Sequence, residues 1–272
     1  MANKRKAKSA ARKFSERVCN LVPSRGTERD WKLEHALTAG ALAAPVAIPA
    51  KVDLRKSWWP IGNQLNTGSC VGWATADGVM RYLLVTANKL PKTDRPSPRF
   101  VWMASKETDQ YTTRPETFVE EAGTSLKAAM DIVRKYGVVV DATLPFQIGT
   151  LMYTGKEADL YAAASLLRAA NYFNLGKNLP QWKTWLSGNR PILAGLNVDA
   201  TWDNAAATSG KLDTYQPGTV RGGHAVCIVG YDAGRFIIRN SWGTTWGDKG
   251  FGYASAAYIN AAFFAESYGA TL

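Results

Sequence analysis

Apolar positions along the chain fall first at helical spacing and later in short unbroken runs. Between Cys70 and about Ala87, the residues Trp73, Ala76, Met80, Leu83 and Leu84 recur at three- and four-residue intervals. That spacing predicts a helix with one apolar side, and Ser69 is placed to cap it. Ser97 followed by Pro98 predicts a second helix over Arg99 to Lys106. Ser125 is a cap for a third, with Leu126, Ala129, Met130 and Val133 as its apolar stripe and Gly137 as its stop. Glu157 to Ala169 and Gln181 to Leu186 also read as helix, the latter opened by Pro180 and closed by Gly188. The pattern then changes. Ile192 to Val198, Ala225 to Tyr231, Arg235 to Arg239 and Phe251 to Ala254 are apolar runs bounded by Gly, Asp and Asn, which predicts strands. Helices first and strands later point to an α+β fold, a helical lobe meeting a β lobe, rather than alternating βα units.

The length of 272 residues suits one large domain or two packed lobes. Ten tryptophans in such a chain predict a core rich in aromatic rings. The net charge of +11 is concentrated at the front, where Lys4, Arg5, Lys6, Lys8, Arg12, Lys13 and Arg17 face one acid, Glu16. This arm reads as a solvated tail, or as a contact for nucleic acid, an acidic membrane face or an acidic partner. Residues 36–50 are Ala-rich but interrupted by Pro45 and Pro49, and they begin too far along to be a signal h-region. They read as a linker or strap, so residues 1–50 form an appendage and residues 51–272 the body. No apolar run reaches the length of a membrane span. Three cysteines, Cys19, Cys70 and Cys227, argue against a disulfide-stapled domain. The expected location is cytoplasmic, or outside the cell without a clear signal peptide.

Candidate chemistry lies at three places. Cys70 follows Gly68-Ser69 at the predicted helix start, where free N–H groups and the helix dipole favour a thiolate. A lone cysteine is also an ordinary small core residue. His224, one of two histidines, stands in Gly222-Gly223-His224-Ala225-Val226, with open space on its approach side. Asn240 opens Asn240-Ser241-Trp242-Gly243-Thr244-Thr245-Trp246-Gly247. An amide oxygen at that point can accept an imidazole N–H and fix the tautomer, with Trp242 shielding the bond. A plain tight turn with a packed indole is the other reading of that run.

These segments carry a resemblance. Asn240 to Gly247, with Asp248-Lys249-Gly250-Phe251 after it, resembles the signature around the active-site asparagine of papain-like cysteine peptidases. Gly223 to Val226, with Val229-Gly230-Tyr231, is similar to their histidine segment. Asn63-Gln64 followed by Gly68-Ser69-Cys70 resembles their oxyanion glutamine and nucleophile, and Val52-Asp53-Leu54-Arg55 the start of their mature domain. Pro98 to Ala104 and Gly123 to Gly137 are similar to lobe segments of bacterial members.

The resemblance spans about residues 50–272 and implies a papain-like two-lobed fold. In it a central helix starts at the nucleophile, and the cleft lies between the helical lobe and an antiparallel β lobe. It implies Cys70 as nucleophile, His224 as base, Asn240 as orienter and Gln64 as oxyanion donor. It also implies Gly123, Gly223 and Trp242 along the substrate path, a polypeptide substrate, and neither cofactor nor metal. The expected activity is peptide hydrolysis through a thioester. The same chemistry also serves an amidase or acyltransferase on a non-protein amide, and a silent binding module is the reading of a different class. Two departures stand out: Val71 where an aromatic residue is usual, and the missing disulfide cysteines, which suggest a prokaryotic or phage-type branch. Cys227 reads as a core residue. The arm either runs through the groove or straps the body away from it, and its short length and few large apolar residues favour the strap.

Overall fold

The computed structural model describes residues 16–108, 122–147, 155–232 and 234–272. Lys4, Arg5, Lys6, Lys8, Arg12 and Lys13 of the basic run lie outside the described residues. A short helix α1 (Leu33–Thr38) precedes strand β1 (Val52–Asp53). The helical lobe is centred on α2, residues 70–86, which is α-helical at Cys70–Gly72, π-helical over Trp73–Met80 and α-helical again over Arg81–Thr86. Every residue of the π stretch is buried. A helix enclosed on all sides needs small residues where neighbours come close. Gly72 supplies one: a Cβ there would lie 2.3 Å from the Pro98 carbonyl oxygen at the start of α3 (Pro98–Thr108). Gly78 supplies the other, against Cys227 of the sheet.

Helix α4 (Leu126–Lys135) buries the stripe its sequence predicts, and Ser125 Oγ accepts the Ala128 N–H at 3.3 Å. Gly137 ends this segment at φ 92°, where a Cβ would strike the Ala164 carbonyl. Ser69 stands at the start of α2 but makes no side-chain cap; its hydroxyl lies 2.6 Å from Thr67 Oγ1. The helix predicted over 157–169 is shorter, α5 (Glu157–Ala164). Beyond it the backbone turns to serve the end of α4: the Val138 N–H bonds the Leu167 carbonyl and the Ala169 N–H bonds the Val133 carbonyl.

The β lobe is one sheet in the order β2-β8-β3-β5-β6-β7-β4, with β1 added beside β5. Its strands are β2 (Asn171–Asn174), β3 (Ile192–Val198), β4 (Lys211–Leu212), β5 (Gly222–Asp232), β6 (Arg235–Arg239), β7 (Phe251–Ser255) and β8 (Phe263–Thr271). Neighbours are antiparallel except β4 and β7. Helices α6 (Leu179–Ser187), α7 (Ala200–Asp203) and α8 (Ala256–Ala262) pack around it. Trp182, Trp185, Trp202, Trp242 and Trp246 are fully buried, the aromatic core expected of the composition. No helix among the described residues is long and apolar enough to cross a membrane.

The lobes are tied together at Asp77 of the π stretch. Its carboxylate accepts from Arg81 Nη1 at 2.9 Å and from Arg239 Nη2 at the end of β6. All three groups are almost fully buried. Arg239 also donates to the Pro60 carbonyl at 2.7 Å and stacks over Trp59. A buried carboxylate between two guanidiniums keeps its charge compensated, and here it fixes the helix that begins at Cys70 against the strand that leads into Asn240.

Candidate active site

Cys70 is the first residue of α2 and is fully buried. Burial pushes its thiol up to about 11, against backbone hydrogen bonding from Ala225, Val71 and Cys70 itself. The Ala225 interaction sets the thiol against the residue that follows His224. His224 is the third residue of β5 and pairs in register with Leu196 of β3. Its Nε2 lies 2.8 Å from Asn240 Oδ1, and the same oxygen accepts the Ser241 N–H at 2.8 Å. An oxygen that already accepts a backbone N–H is an acceptor, so Nε2 carries the proton. Nδ1 is then the basic nitrogen, and it makes no hydrogen bond in this structure. The imidazole is fully buried, which lowers it to about 4; Asn240 opposes the shift, while Arg221 and Arg17 add to it.

Trp242 covers the imidazole with ring centres 4.9 Å apart. Two further indoles stand with it. Trp202 stands at 90° to the imidazole at 5.7 Å and stacks on Trp246 at 5.3 Å. Trp202 lies on α7, where no local pattern links it to His224, whereas Trp246 belongs to the run that Asn240 opens.

Gln64 is fully buried beside the helix start. Its Oε1 accepts from Ser241 Oγ at 2.7 Å and its Nε2 donates to the Thr67 carbonyl at 2.9 Å. The amide is thereby oriented, and one Nε2 hydrogen is left over for an oxyanion. The segment 62–64 pairs with 241–243, through Gly243 N–H to the Gly62 carbonyl and Gln64 N–H to the Ser241 carbonyl. Cys70, His224, Asn240, Gln64 and Trp242 thus form one constellation.

Gly123 and Gly223 lie on facing walls, and the space between them is filled by the N-terminal arm. The Leu21 N–H donates to the Gly223 carbonyl at 3.0 Å, and the Val22 N–H to the Thr124 carbonyl at 3.2 Å. A Cβ on Gly123 would meet the Asn20 carbonyl oxygen at 1.9 Å; one on Gly222 would meet that of Cys19 at 2.0 Å. Both walls lack side chains where the arm backbone passes. Leu21 is buried, and its Cδ2 lies 2.7 Å from where Gly195 would carry a Cβ. Arg221 Nη1 donates to the Arg17 carbonyl at 3.0 Å. The arm expected to stay clear of the groove therefore crosses it at residues 17–22. Only beyond that does it strap the body, through Ser24 to Glu266, Asp30 to Lys127, and α1. The backbone makes the crossing, which a count of large apolar side chains does not register.

Among the described residues no group of His, Cys, Asp and Glu is arranged to hold a metal. Cys227 lies in the β5 core, and burial raises its thiol well above the ordinary value.

Comparison with known proteins agrees with this geometry. The chain is 27% identical to Peptidase 1 of Psoroptes ovis over 232 residues, 82% of this chain and 66% of the relative. It is 24% identical to papain of Carica papaya, covering 88% of this chain and 63% of papain. The chain thus spans about two thirds or less of the length of these curated relatives. Among solved structures, xylellain, a cysteine protease from Xylella fastidiosa, superposes with a TM-score of 0.76 at 21% identity, over 94% of this chain and 96% of that one. Procathepsin L2 of Tenebrio molitor superposes at 0.68 and 19% identity, over 96% of this chain and 80% of that one. These likenesses show the α+β papain-like fold. The family model for papain family cysteine proteases matches residues 48–266, most of the chain, and the chain belongs to that family.

Proposed function

We propose that the protein hydrolyses peptide bonds, with Cys70 as nucleophile, His224 as proton carrier, Asn240 as orienter, and Gln64 Nε2 and the Cys70 N–H as oxyanion donors. The observation that carries this reading is the 2.8 Å bond from His224 to Asn240, which leaves Nδ1 as the basic nitrogen on a strand whose next residue, Ala225, meets the Cys70 thiol at a helix start. In the reaction the thiol proton passes to Nδ1 and the sulfur attacks the carbonyl carbon. The carbonyl oxygen becomes an oxyanion held by the two donors. The imidazolium then protonates the departing amine as the C–N bond breaks, leaving a thioester. Water, deprotonated by Nδ1, attacks the thioester, and the thiol is restored as the carboxylic product leaves. Loss of one oxyanion donor lowers turnover by about 10²–10³.

The described form is latent in this reading. Residues 17–22 occupy the substrate path, and both reactive groups are neutral, with the thiol at about 11 and the imidazole at about 4. The substrate is a polypeptide that lies against Gly223 and Gly123, with an aliphatic side chain in the pocket that Leu21 fills. Digestion of a peptide library followed by mass spectrometry tests the reading. Cleavage by the wild-type chain that vanishes in Cys70→Ala supports it. No cleavage by a chain whose Cys70 is freely alkylated by iodoacetamide refutes it.

A further inference from the structure

Behind the imidazole lies a buried polar chain that none of the active-site roles uses. Asp199 follows β3 and is fully buried. Its Oδ1 accepts the Thr201 N–H at 3.1 Å and the Tyr258 hydroxyl at 2.7 Å; its Oδ2 accepts the Gln216 N–H at 2.6 Å and Thr201 Oγ1 at 3.1 Å. Tyr258, on α8, accepts the Trp202 indole N–H at 2.9 Å. The polarity is fixed from one end. An indole N–H can only donate, so the Tyr258 oxygen accepts there, and its single proton goes to the Asp199 carboxylate. Hydrogen bonds to a carboxylate are the stronger kind.

Trp202 is the member that meets the site. It stands perpendicular to His224 at 5.7 Å, and its own carbonyl accepts the Trp246 indole N–H at 2.9 Å. Asn240 holds the imidazole at one atom, Nε2, and Trp242 lies over it tilted by 40°. A ring held at one atom and covered on one side can still swing about its Cβ–Cγ bond. A perpendicular wall removes that freedom, provided the wall itself is fixed.

We propose that Tyr258 and Asp199 are positioning residues for His224, acting through Trp202, whose indole plane they lock against the imidazole. The inference rests on the peptidase reading only for its kinetic consequence. It adds to the candidate site two residues that touch neither substrate nor reacting atoms.

The experiment uses the full chain with ¹⁵N-labelled histidine. Only His35 and His224 exist, so His224→Gln assigns the two rings. The solvent exchange rate of the His224 Nε2–H is measured in wild type, Tyr258→Phe, Trp202→Phe and the double variant, with the backbone N–H of Val226 in β5 as reference. Tyr258→Phe is expected to speed ring N–H exchange about tenfold, the size of change that follows loss of one charge-assisted hydrogen bond. The Val226 rate should stay within twofold. The double variant should match Trp202→Phe, because the proposal gives Tyr258 its influence on the ring through the indole. Where a peptide is turned over, kcat should fall by a similar factor with KM within twofold. Equal acceleration of Val226 and the ring would mean simple destabilisation and overturn the proposal, as would additive effects in the double variant. If Tyr258→Phe does not fold, Asp199→Asn is measured the same way, and an unchanged ring exchange rate there overturns it. Altered ring exchange in a chain that cleaves no peptide although its Cys70 is freely alkylated would sink the peptidase reading and leave this inference standing.

Discussion

If the arm is a gate, the residue that seats it is Leu21, and Leu21→Ala is the direct perturbation. The side chain is 5% exposed and rests in a pocket floored by Gly195. Its backbone N–H bond to Gly223 survives the substitution. Truncation removes three carbons, which at about 0.8 kcal/mol each is about 2.4 kcal/mol of burial. The residual cavity adds to this, and buried Leu→Ala changes run at about 2–5 kcal/mol. Taking about 2–3 kcal/mol as lost from docking alone, and about 1.4 kcal/mol per factor of ten, the uncovered fraction rises roughly 30- to 150-fold. Two measurements on the full chain report it: the rate of Cys70 alkylation by iodoacetamide, with the modified site mapped by mass spectrometry, and the hydrolysis of a fluorogenic peptide. Both should rise together, up to the limit set by a fully open cleft. A folded Leu21→Ala chain in which both rates stay within twofold of wild type would show that residues 17–22 do not gate the site.

Three further outcomes are expected. Cys227→Ala should keep activity within twofold, since that thiol packs against Gly78 in the core, whereas Cys70→Ala should fall to background in the same assay. Asp77→Ala strands Arg81 and Arg239 in a buried site, at a cost of about 3–5 kcal/mol, so thermal unfolding should come roughly 6–20 °C earlier for a chain of this size; an unchanged melting curve refutes the tie. Arm docking should weaken as pH rises. The Tyr268 hydroxyl lies 2.8 Å from both Asp30 and Glu266, and one proton cannot serve two carboxylates. Asp30 also takes Lys127 and Asn174, while burial raises Glu266 above its ordinary 4.5 against the hydrogen bonds from Ser24 and Tyr268, with the Asp30 charge adding to the rise. A group raised in the docked state favours docking at low pH and loses that contribution from about 4.5 up to its raised value. Hydrogen exchange over residues 17–30, taken as the ratio of wild type to Glu266→Gln at each pH, should climb across that window; a flat ratio excludes the effect.

How much of this was legible in the sequence depended on how local each signal was. The triad candidates were, because the residues flanking His224 and Asn240 are themselves part of the geometry. Gly222 leaves room for the Cys19 backbone and Gly223 for the Phe264 ring, and Ser241, next to Asn240, fixes both the Asn240 oxygen and Gln64. The helix stripes of α4 and the runs of β3 and β6 were legible for the same reason. Strand β8 was not. Phe263-Phe264-Ala265-Glu266-Ser267-Tyr268-Gly269 has no clean alternation, and its shape follows from partners far away. Gly269 exists because Trp185 lies 2.1 Å from where its Cβ would be, and Glu266 is buried because Ser24 of the arm covers it. Asp199 and Tyr258 were equally hidden, 59 residues apart and joined only by a hydrogen bond.

The arm shows why such features escape a sequence reading and what they do once folded. Its hold on the groove comes from the buried Leu21 side chain and from the Leu21 and Val22 backbone N–H groups meeting carbonyls of residues 223 and 124, with glycines facing Cys19 and Asn20. Any sequence has such N–H groups, so nothing in the arm announced them; the signal lay in the walls, at Gly123 and Gly222. Covering the site and silencing it are then one event. Desolvation moves the thiol up and the imidazole down, and the Arg17 charge that the arm brings pushes the imidazole further from its protonated form. Proton transfer from sulfur to nitrogen would create two charges where the surroundings can solvate neither. In the proposed reading, departure of residues 17–22 would return water to both groups and withdraw Arg17, so the step that clears the path for a substrate would also bring the two pKa values together. An inhibitor that blocked by shape alone would leave the imidazole titrating near its ordinary value while bound. In this chain the His224 ring should titrate near 4 with the arm docked and move upward in Leu21→Ala, a shift that histidine NMR resolves without any substrate.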